Sequence, residues 1–537
     1  MMLFTFLRMN PIGSLSNIVL LLFLGFLCSL LTVWFIRFLA QRRGWMAEPK
    51  ADRWHQSPTA LHGGIGMILG WIPLALWVLM RHPDEQKMVV GFLAGSIIMF
   101  LLGLVDDFMH FQPSTKLVWQ IVAASLLIGQ GVVIQILPWY SANVLLTFIW
   151  FIGIINAVNM LDNMDGLATG VVAISSLVLL VIFVTRGGAS SLAVAWLAIF
   201  IGVLFGFLFY NFNPASIFMG DSGSLFIGYF LAAMSIPSPI NHNWFLKTGE
   251  EVAPWGLISL LAPAMILAVP IFDTTLVTLS RKWHGRSASQ GGLDHSSHRL
   301  VGLGLSEREA VSILYGVALI GGVISILSHF YERVAGPLFT GFFVLLVVFG
   351  FYLGRLSVYE EGSKTESWTP LVTGLLHKRR FTEAMADFFF VVIAYTFTFV
   401  FLLKGKSGTD VFYERTLPWV VAIMMFTFWF FGYYRGRWHL FKMKDLGRTI
   451  QGLLLGGIFL VGFYFLNQSN HLNLWPVLRQ NYIQFCTFFL ISLFILIAGF
   501  RMLSRILDHY LQRKNYKLSL YQATATFNPS AKDIVGS

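Results

Sequence analysis

LAVAWLAIFIGVLFGFLFYNFNPASIFMGDSGSLFIGYFLAAM, residues 192–234, is two apolar runs separated by a short polar stretch. A helix needs about 20 apolar residues to cross the hydrocarbon of a bilayer, and the runs 190–209 and 216–236 each meet that length. Asp221 is the single carboxylate between Leu192 and Met234, set among Gly220, Ser222 and Gly223 ahead of the second run. An acid in that position is costly unless it has partners or a task. Apolar spans with almost no acid away from their ends recur along the chain.

The 537 residues are 56% hydrophobic and 12% charged, with 51 Phe, 17 Trp and 16 Tyr, and the mean hydropathy is +0.71. A soluble globule has too little polar surface to cover such a composition. A soluble enzyme, a disordered chain, a disulfide scaffold and a nucleic-acid binder are all excluded. Cys28 and Cys486 both lie in apolar runs, which offers neither a disulfide framework nor a zinc site. The first run, 17–40, has no small-residue cleavage site behind it and reads as a retained span.

The expected fold is an all-α polytopic integral membrane protein with 11 + 4 transmembrane helices. The first eleven spans fall near 17–40, 63–80, 88–105, 117–137, 143–160, 167–185, 190–209, 216–236, 254–279, 309–329 and 335–354. Four more follow near 384–403, 417–434, 450–466 and 482–500. Loops after the odd-numbered spans of the first group carry 15 Lys and Arg, against 5 in the alternate loops. The positive-inside rule then places the N-terminus outside and the C-terminus in the cytoplasm. That bias also accounts for the net charge of +11. The chain turns polar between 355 and 383, so the expected organisation is a membrane domain 1–355, a cytoplasmic linker 356–383, a four-helix module 384–505 and a cytoplasmic tail 506–537.

With that orientation, four acidic clusters fall at cytoplasmic ends of spans. One acid there is ordinarily a cap or a solvated flank; four on one face are candidates for chemistry. Asp106-Asp107 closes LLGLVDDFMHFQPSTKLVWQ (101–120), and such adjacent carboxylates need a cation, which Lys116 or a metal supplies. NAVNMLDNMDGL (156–167) spaces Asn156, Asn159, Asp162 and Asp165 by three. Neighbouring members share a helix face, and Gly166 lets the helix end there. Amides and carboxylates together suit a polar ligand and Mg²⁺, or else a core polar network. Around Asp221 the glycines permit close backbone approach, and helix-start N–H groups favour phosphate; an N-capping Asp is the plainer alternative. RKWHGRSASQGGLDHSSHRL (281–300) collects Arg281, Lys282, His284, Arg286, His295, His298 and Arg299. With hard-oxygen clusters elsewhere and no cysteine, this loop suits phosphate better than Zn²⁺.

These motifs resemble the polyprenyl-phosphate N-acetylhexosamine-1-phosphate transferases of bacterial cell-envelope synthesis, over about residues 40–325. The resemblance is carried, in the family's order, by DRWHQSPTALHGG (52–64), LVDDF with Lys116 and Gln120, NAVNMLDNMDGLATG, NFNPASIFMGDSGSLFIG, PIFDTTLV (270–277) and DHSSHRL (294–300). Asn163 stands where the family commonly has Gly, Ala60 replaces a usual Pro, and the histidine loop has two His. It also lacks the PxHHHFE-like loop of the branch that transfers phospho-MurNAc-pentapeptide. These departures bear on the donor sugar rather than on the reaction.

The resemblance implies transfer of an N-acetylhexosamine 1-phosphate from a UDP-N-acetylhexosamine to undecaprenyl phosphate, releasing UMP and initiating envelope polysaccharide, lipopolysaccharide or O-antigen synthesis. It implies Mg²⁺, with Mn²⁺ as substitute, on Asp221, Asp107 and Asp165. Asp106 would position or deprotonate the lipid phosphate, and Asp106, Asp107, Asp162 and Asp165 form the catalytic set. Lys116, Asn156, Asn159, His295, His298 and Arg299 would bind substrate. A single displacement and a two-step route through an aspartyl intermediate both fit. The setting implied is the bacterial inner (cytoplasmic) membrane, with the site facing the cytoplasm.

The later spans, with KRRFTEAMADFFFVVIAYTFTF (378–399), FGYYRGRWHLFKMKDLGRTI (431–450) and RMLSR (501–505), resemble the membrane anchor of nucleotide-sugar dehydratases and epimerases. No G-x-G-x-x-G follows, so no Rossmann unit can form. Such a module either docks an envelope-polysaccharide enzyme or stabilises and dimerises the chain in lipid. A transporter or a membrane scaffold is the rival class. A transporter would carry ionisable groups near the midplane and paired broken helices, and a scaffold leaves the acidic clusters unexplained.

Overall fold

The structure, a computed structural model, describes residues 15–48, 58–81, 86–185, 192–236, 256–283, 294–354, 379–404, 409–435, 443–467 and 482–502. Residues 52–57 of the first motif, His284 and Arg286 of the histidine loop, most of the expected linker and the expected tail lie outside the described residues. Two compact units divide the chain: Met1–Lys378 with Glu414–Trp419, and Arg379–Tyr413 with Val420–Ser537.

In the first unit the helices are α1 Leu15–Arg43, α2 Gly63–Leu79, α3 Gln86–Met109, α4 Pro113–Ile128, α5 Tyr140–Leu161, α6 Leu167–Thr185, α7 Leu192–Asn211 and α8 Gly220–Met234. There follow α9 Gly256–Ile266, α10 Ala268–Trp283, α11 Ser296–Gly302, α12 Glu307–Phe330 and α13 Glu332–Gly354. The second unit holds α14 Arg379–Leu402, α15 Thr409–Phe430 apart from its stretch Glu414–Trp419, α16 Met443–Asn467 and α17 Tyr482–Met502. Ten described helices are at least 18 residues long and apolar enough to cross a membrane, and α2, α4 and Leu446–Gly462 are shorter apolar helices. The chain is a multi-pass, all-α membrane protein.

Two spans differ from the sequence expectation, each for a local reason. The run 254–279 is two helices, α9 and α10, meeting at Leu267. Pro270 has no N–H, so it cannot bond the carbonyl four residues back. That carbonyl, on Ile266, instead accepts the Ser175 hydroxyl at 2.8 Å. The fourth helix stops at Ile128 rather than continuing to 137, because Gly129-Gln130-Gly131 follows and Gly131 takes φ 92.

Buried α8 organises the first unit: every residue from Ser222 to Met234 is buried, and α2, α3 and α5 pack around it. Trp71 of α2 meets Trp196 of α7 at 5.7 Å, and Phe200 stacks on Phe230 at 3.7 Å. The Trp196 indole N–H donates to the Ala75 carbonyl, which satisfies its polar end in the core. Against α7 lies α1, its contact made of small residues: a Cβ on Gly202 would collide with the Leu22 carbonyl, and Ser29 Oγ donates to the Val203 carbonyl at 2.9 Å. Small residues let helices in lipid approach this closely. The opposite side of α1, with Val19, Phe23, Leu31 and Trp34, is exposed.

A two-stranded antiparallel ribbon, β1 Met46–Ala47 with β2 Thr59–Ala60, sits at one end of this bundle. Ala60 also bridges Ile217, and the N–H groups of Gly63 and Gly64 donate to the Phe218 and Met219 carbonyls. The loop ahead of α8 is thereby fastened to the start of α2. In the second unit Asp387 of α14 pairs with Arg501 of α17 at 3.2 Å, both buried, and the Arg501 guanidinium lies 3.7 Å from the Tyr433 ring centre.

Candidate active site

The last turn of helix α3 carries Asp106 and Asp107, and the chain turns at His110, φ 52, into α4. The Phe111 N–H donates to Asp106 Oδ1 at 2.5 Å, fixing that carboxylate at the turn. Pro113 starts α4, a position that loses no helical hydrogen bond, and Lys116 follows in its first turn. Its ammonium bonds Asp106 Oδ2 and, at 2.6 Å, Asp221 Oδ2 on α8. Two carboxylates 115 positions apart in sequence therefore share one cation.

Asp107 serves α8 differently: its oxygens accept the Asp221 N–H at 2.7 Å and the Ser222 N–H at 3.3 Å. This is a capping carboxylate, supplied from another helix, on N–H groups that a helix start leaves unpaired. His62, at φ 67, stacks on Phe108 at 4.6 Å and places Nδ1 3.5 Å from Asp107 Oδ2. The backbones meet closely here. A Cβ on Gly103 would strike the Asp221 carbonyl.

Helix α5 supplies the amides. Asn159 Nδ2 donates to Asp221 Oδ1 at 3.0 Å and to Ser224 Oγ at 2.8 Å. Asn156 exchanges hydrogen bonds with Gln120 of α4, at 3.2 and 3.1 Å. Beyond the helix, Asp162 is its half-buried C-terminal cap residue. Asp165 Oδ2 accepts the Ala215 N–H at 2.8 Å and Asn213 Nδ2 at 3.4 Å, and Asn213 also donates to Glu307.

The histidine corner joins through Asn163, whose Oδ1 accepts the Ser297 hydroxyl at 2.7 Å. His295 and His298 lie edge to face at 5.9 Å. His298 is held well below the ordinary imidazole range, at about 4, by burial first and by His295 second, so near pH 7 it is neutral. His295 Nδ1 lies 2.8 Å from Asp273 Oδ2. Arg281 forks onto Asp294 at 2.6 and 2.5 Å. Arg299 donates to the Asp294 and Leu353 carbonyls and to Ser280 Oγ.

The structure thus brings Asp106, Asp107, Lys116, Asn159 and Asp221 into one cluster and links Asn156 to its edge. It ties Asp165 to the loop at 213–215 and engages Arg299 with the protein's own carbonyls. Among the described residues no group of three His, Cys, Asp or Glu side chains is arranged to hold a metal ion. A divalent ion that keeps waters and substrate phosphates needs only one or two carboxylates. The hard oxygens of Asp106 and Asp221, already turned to one cation, fit that requirement. Asp107 and Asp165 direct oxygens to backbone N–H groups.

Three contributors escaped sequence reasoning. Asp273 was visible as the lone carboxylate inside the run 254–279. Asn163 registered as a departure from a motif rather than as a link. His62 lay in a quoted motif with no role attached. Nothing in the spacing names their partners.

The sequence profile of glycosyl transferase family 4 matches residues 89–238. A Bacillus subtilis protein named a probable undecaprenyl-phosphate N-acetylglucosaminyl 1-phosphate transferase is 31% identical over 317 residues, 56% of this chain and 82% of that one. The decaprenyl-phosphate N-acetylglucosaminephosphotransferase of Mycobacterium tuberculosis (strain CDC 1551 / Oshkosh) is 33% identical over 324 residues, covering 54% and 78%. Its namesake from Mycolicibacterium smegmatis is 33% identical over 310 residues, covering 52% and 74%.

Proposed function

The chain belongs to glycosyl transferase family 4, the polyprenyl-phosphate N-acetylhexosamine-1-phosphate transferases, and from that premise we propose that it transfers N-acetylglucosamine 1-phosphate from UDP-GlcNAc to undecaprenyl phosphate. An oxygen of the lipid phosphate forms a bond to the β-phosphorus of the donor. The bond from that phosphorus to the bridging oxygen breaks, and its electron pair leaves with UMP. The lipid phosphate is already anionic at neutral pH, so the protein's task is mostly positioning and neutralisation.

The observation that carries this reading is the Lys116 ammonium shared by Asp106 and Asp221 at the start of α8. It is a preassembled charge cluster at the end of apolar helices, where a lipid phosphate can reach. Lys116 meets a phosphate oxygen, Asp106 orients the nucleophile, and Asn159 keeps Asp221 turned toward the reacting groups. His298, neutral, offers hydrogen bonds rather than charge to the donor. Mg²⁺, or Mn²⁺ in its place, would be held by Asp221 and Asp106 and would supply the charge that offsets the diphosphate.

Lys and Arg concentrate in the loops that follow the odd-numbered spans. By the positive-inside rule this supports a bacterial cytoplasmic-membrane protein with an external N-terminus, a cytoplasmic C-terminus and a cytoplasmic active site. The lipid-linked product would start an envelope polysaccharide such as an O-antigen, and the second unit would dock a further enzyme of that synthesis or a second copy of the chain.

The test uses the purified full-length protein in detergent with undecaprenyl phosphate, UDP-GlcNAc and Mg²⁺. UMP and a new lipid should appear in equal amounts, excess EDTA should stop both, and Mg²⁺ or Mn²⁺ should restore them. Release of UDP in place of UMP, or no lipid product from any UDP-N-acetylhexosamine, overturns the reading.

A further inference from the structure

The first half of helix α12 grips both loops that carry the later acidic motifs. A capping box of Ser306 and Glu309 fixes where the helix begins. Arg308 donates to the Asn213 carbonyl at 2.9 Å and to Asn213 Oδ1 at 3.2 Å, while Glu307 accepts from Asn213 Nδ2 at 2.8 Å. Further along, the Tyr315 hydroxyl donates to the Gly166 carbonyl at 2.6 Å. That carbonyl already accepts the Gly170 N–H at 2.9 Å. The hydroxyl therefore takes its second lone pair and is not needed to satisfy it.

Making room for this ring weakens the helix it rests on. Gly170 stands in the first turn of α6, where a glycine costs conformational entropy, and a Cβ there would run into the Tyr315 hydroxyl and ring. Gly166 takes φ 73, and its N–H donates to Asn211 Oδ1 at 3.2 Å. The N–H and the carbonyl of Gly166 are thus held by side chains from two other helices, α7 and α12. Asn211, itself buried, reaches onward: its Nδ2 donates to the Ile217 carbonyl at 3.0 Å, in the loop ahead of Asp221.

The turn held in this way, 162–166, joins the parts of the site that face the donor. Just before it, Asn159 bonds Asp221 of the charge cluster. Within it, Asn163 accepts Ser297 of the histidine corner, and Asp165 accepts the Ala215 N–H. Resting on the proposed reaction, in which Asp221 and the histidine corner both meet UDP-GlcNAc, we propose that Tyr315 is a positioning residue for the nucleotide-sugar donor: its hydroxyl locks the 162–166 turn and so sets the spacing between the charge cluster and the histidine corner. The groups assigned to the lipid phosphate, Asp106 and Lys116, lie on α3 and α4 and are bonded to each other. The Tyr315 hydroxyl touches neither, so donor and acceptor should respond differently to its loss.

Tyr315→Phe tests the assignment, because it keeps the ring and removes only the hydroxyl. In the full-length protein, with Mg²⁺, KM is measured for UDP-GlcNAc and for undecaprenyl phosphate, each at saturating levels of the other. The variant should raise KM for UDP-GlcNAc at least about tenfold, as a misplacement of a fraction of an ångström would, and leave KM for undecaprenyl phosphate within about twofold. Tyr229→Phe removes another buried hydroxyl, one bonded to the Ala123 carbonyl; it should lower the melting temperature and leave both KM values unchanged. Gly170→Ala, which pushes the Tyr315 ring away, should reproduce the donor defect in wild type and add nothing in a Tyr315→Ala background. Three results overturn the assignment: a Tyr315→Phe protein that behaves like Tyr229→Phe, an equal rise in both KM values, or full additivity of Gly170→Ala with Tyr315→Ala. Absence of wild-type turnover would overturn the proposed reaction itself, and the assignment with it.

Discussion

Replacing Lys116 with Met would leave Asp106 and Asp221 facing each other without the cation that both now bind. Like-charged carboxylates that close cannot both remain ionised comfortably, so Lys116→Met should reduce turnover at least about a hundredfold, the scale of losing a main electrostatic contact. Asp221→Asn should do at least as much while keeping the Asp107 contacts to the backbone N–H groups, and steady-state UMP release measures both. His298 gives a pH prediction with a definite sign. Its folded pKa, about 4, lies below the ordinary 6.5, so between those values the unfolded chain binds a proton that the folded one refuses. Stability should be flat above pH 6.5 and fall by up to about 3 kcal/mol toward pH 4. Melting curves of wild type and His298→Gln across that window check it, and the variant should show the shallower decline. At this scale the sequence revealed which residue types cluster, since Asp, Asn and His are costly at helix ends in lipid. It could not reveal that Arg299 would be engaged by the Leu353 carbonyl or that Lys116 would reach Asp221, because those pairings come from packing.

Helix α8 can hold Asp221 in place only because its neighbours come very near. Gly103→Ala adds one methyl group against the Asp221 carbonyl, and a backbone atom cannot move aside as a flexible side chain would. The start of α8 should shift away from α3, parting Asp106 from Asp221 although no ionisable group has changed. Turnover should fall at least tenfold, on the order of what an ångström of misplacement costs, with the melting temperature lowered as well. Wild-type kcat in a well-folded Gly103→Ala protein would contradict the close packing. Helix existence was legible from apolar run length, and each expected span corresponds to described helical residues. The break at Leu267 was hidden inside an unbroken apolar run. Pro270 marked it, but the Ser175 hydroxyl that satisfies the Ile266 carbonyl comes from a helix about ninety residues earlier, and periodicity carries no information about that.

The described residues of the site all belong to the first unit, Met1–Lys378 with Glu414–Trp419. A chain ending at Lys378 should therefore insert in membranes and retain transferase turnover per folded molecule. Its size-exclusion profile and thermal stability report any loss of self-association or support. A well-folded but inactive truncated protein would mean that the later helices help to build the site. Within that first unit, the pairing of α1 with α7 has a consequence for biosynthesis. Ser29 and the Val203 carbonyl it bonds are 174 residues apart, and at ~5–20 residues per second a ribosome needs roughly 10–35 s to cover that distance. Throughout that interval the first helix sits in the bilayer with its small-residue face unmatched. It has α2 for company, since the Thr32 hydroxyl donates to the Gly66 carbonyl at 2.7 Å. The nascent protein must thus hold its opening hairpin intact until α7 emerges, and a defect that loosens α1 from α2 should act during insertion, lowering the yield of assembled protein while leaving the activity of each assembled molecule unchanged.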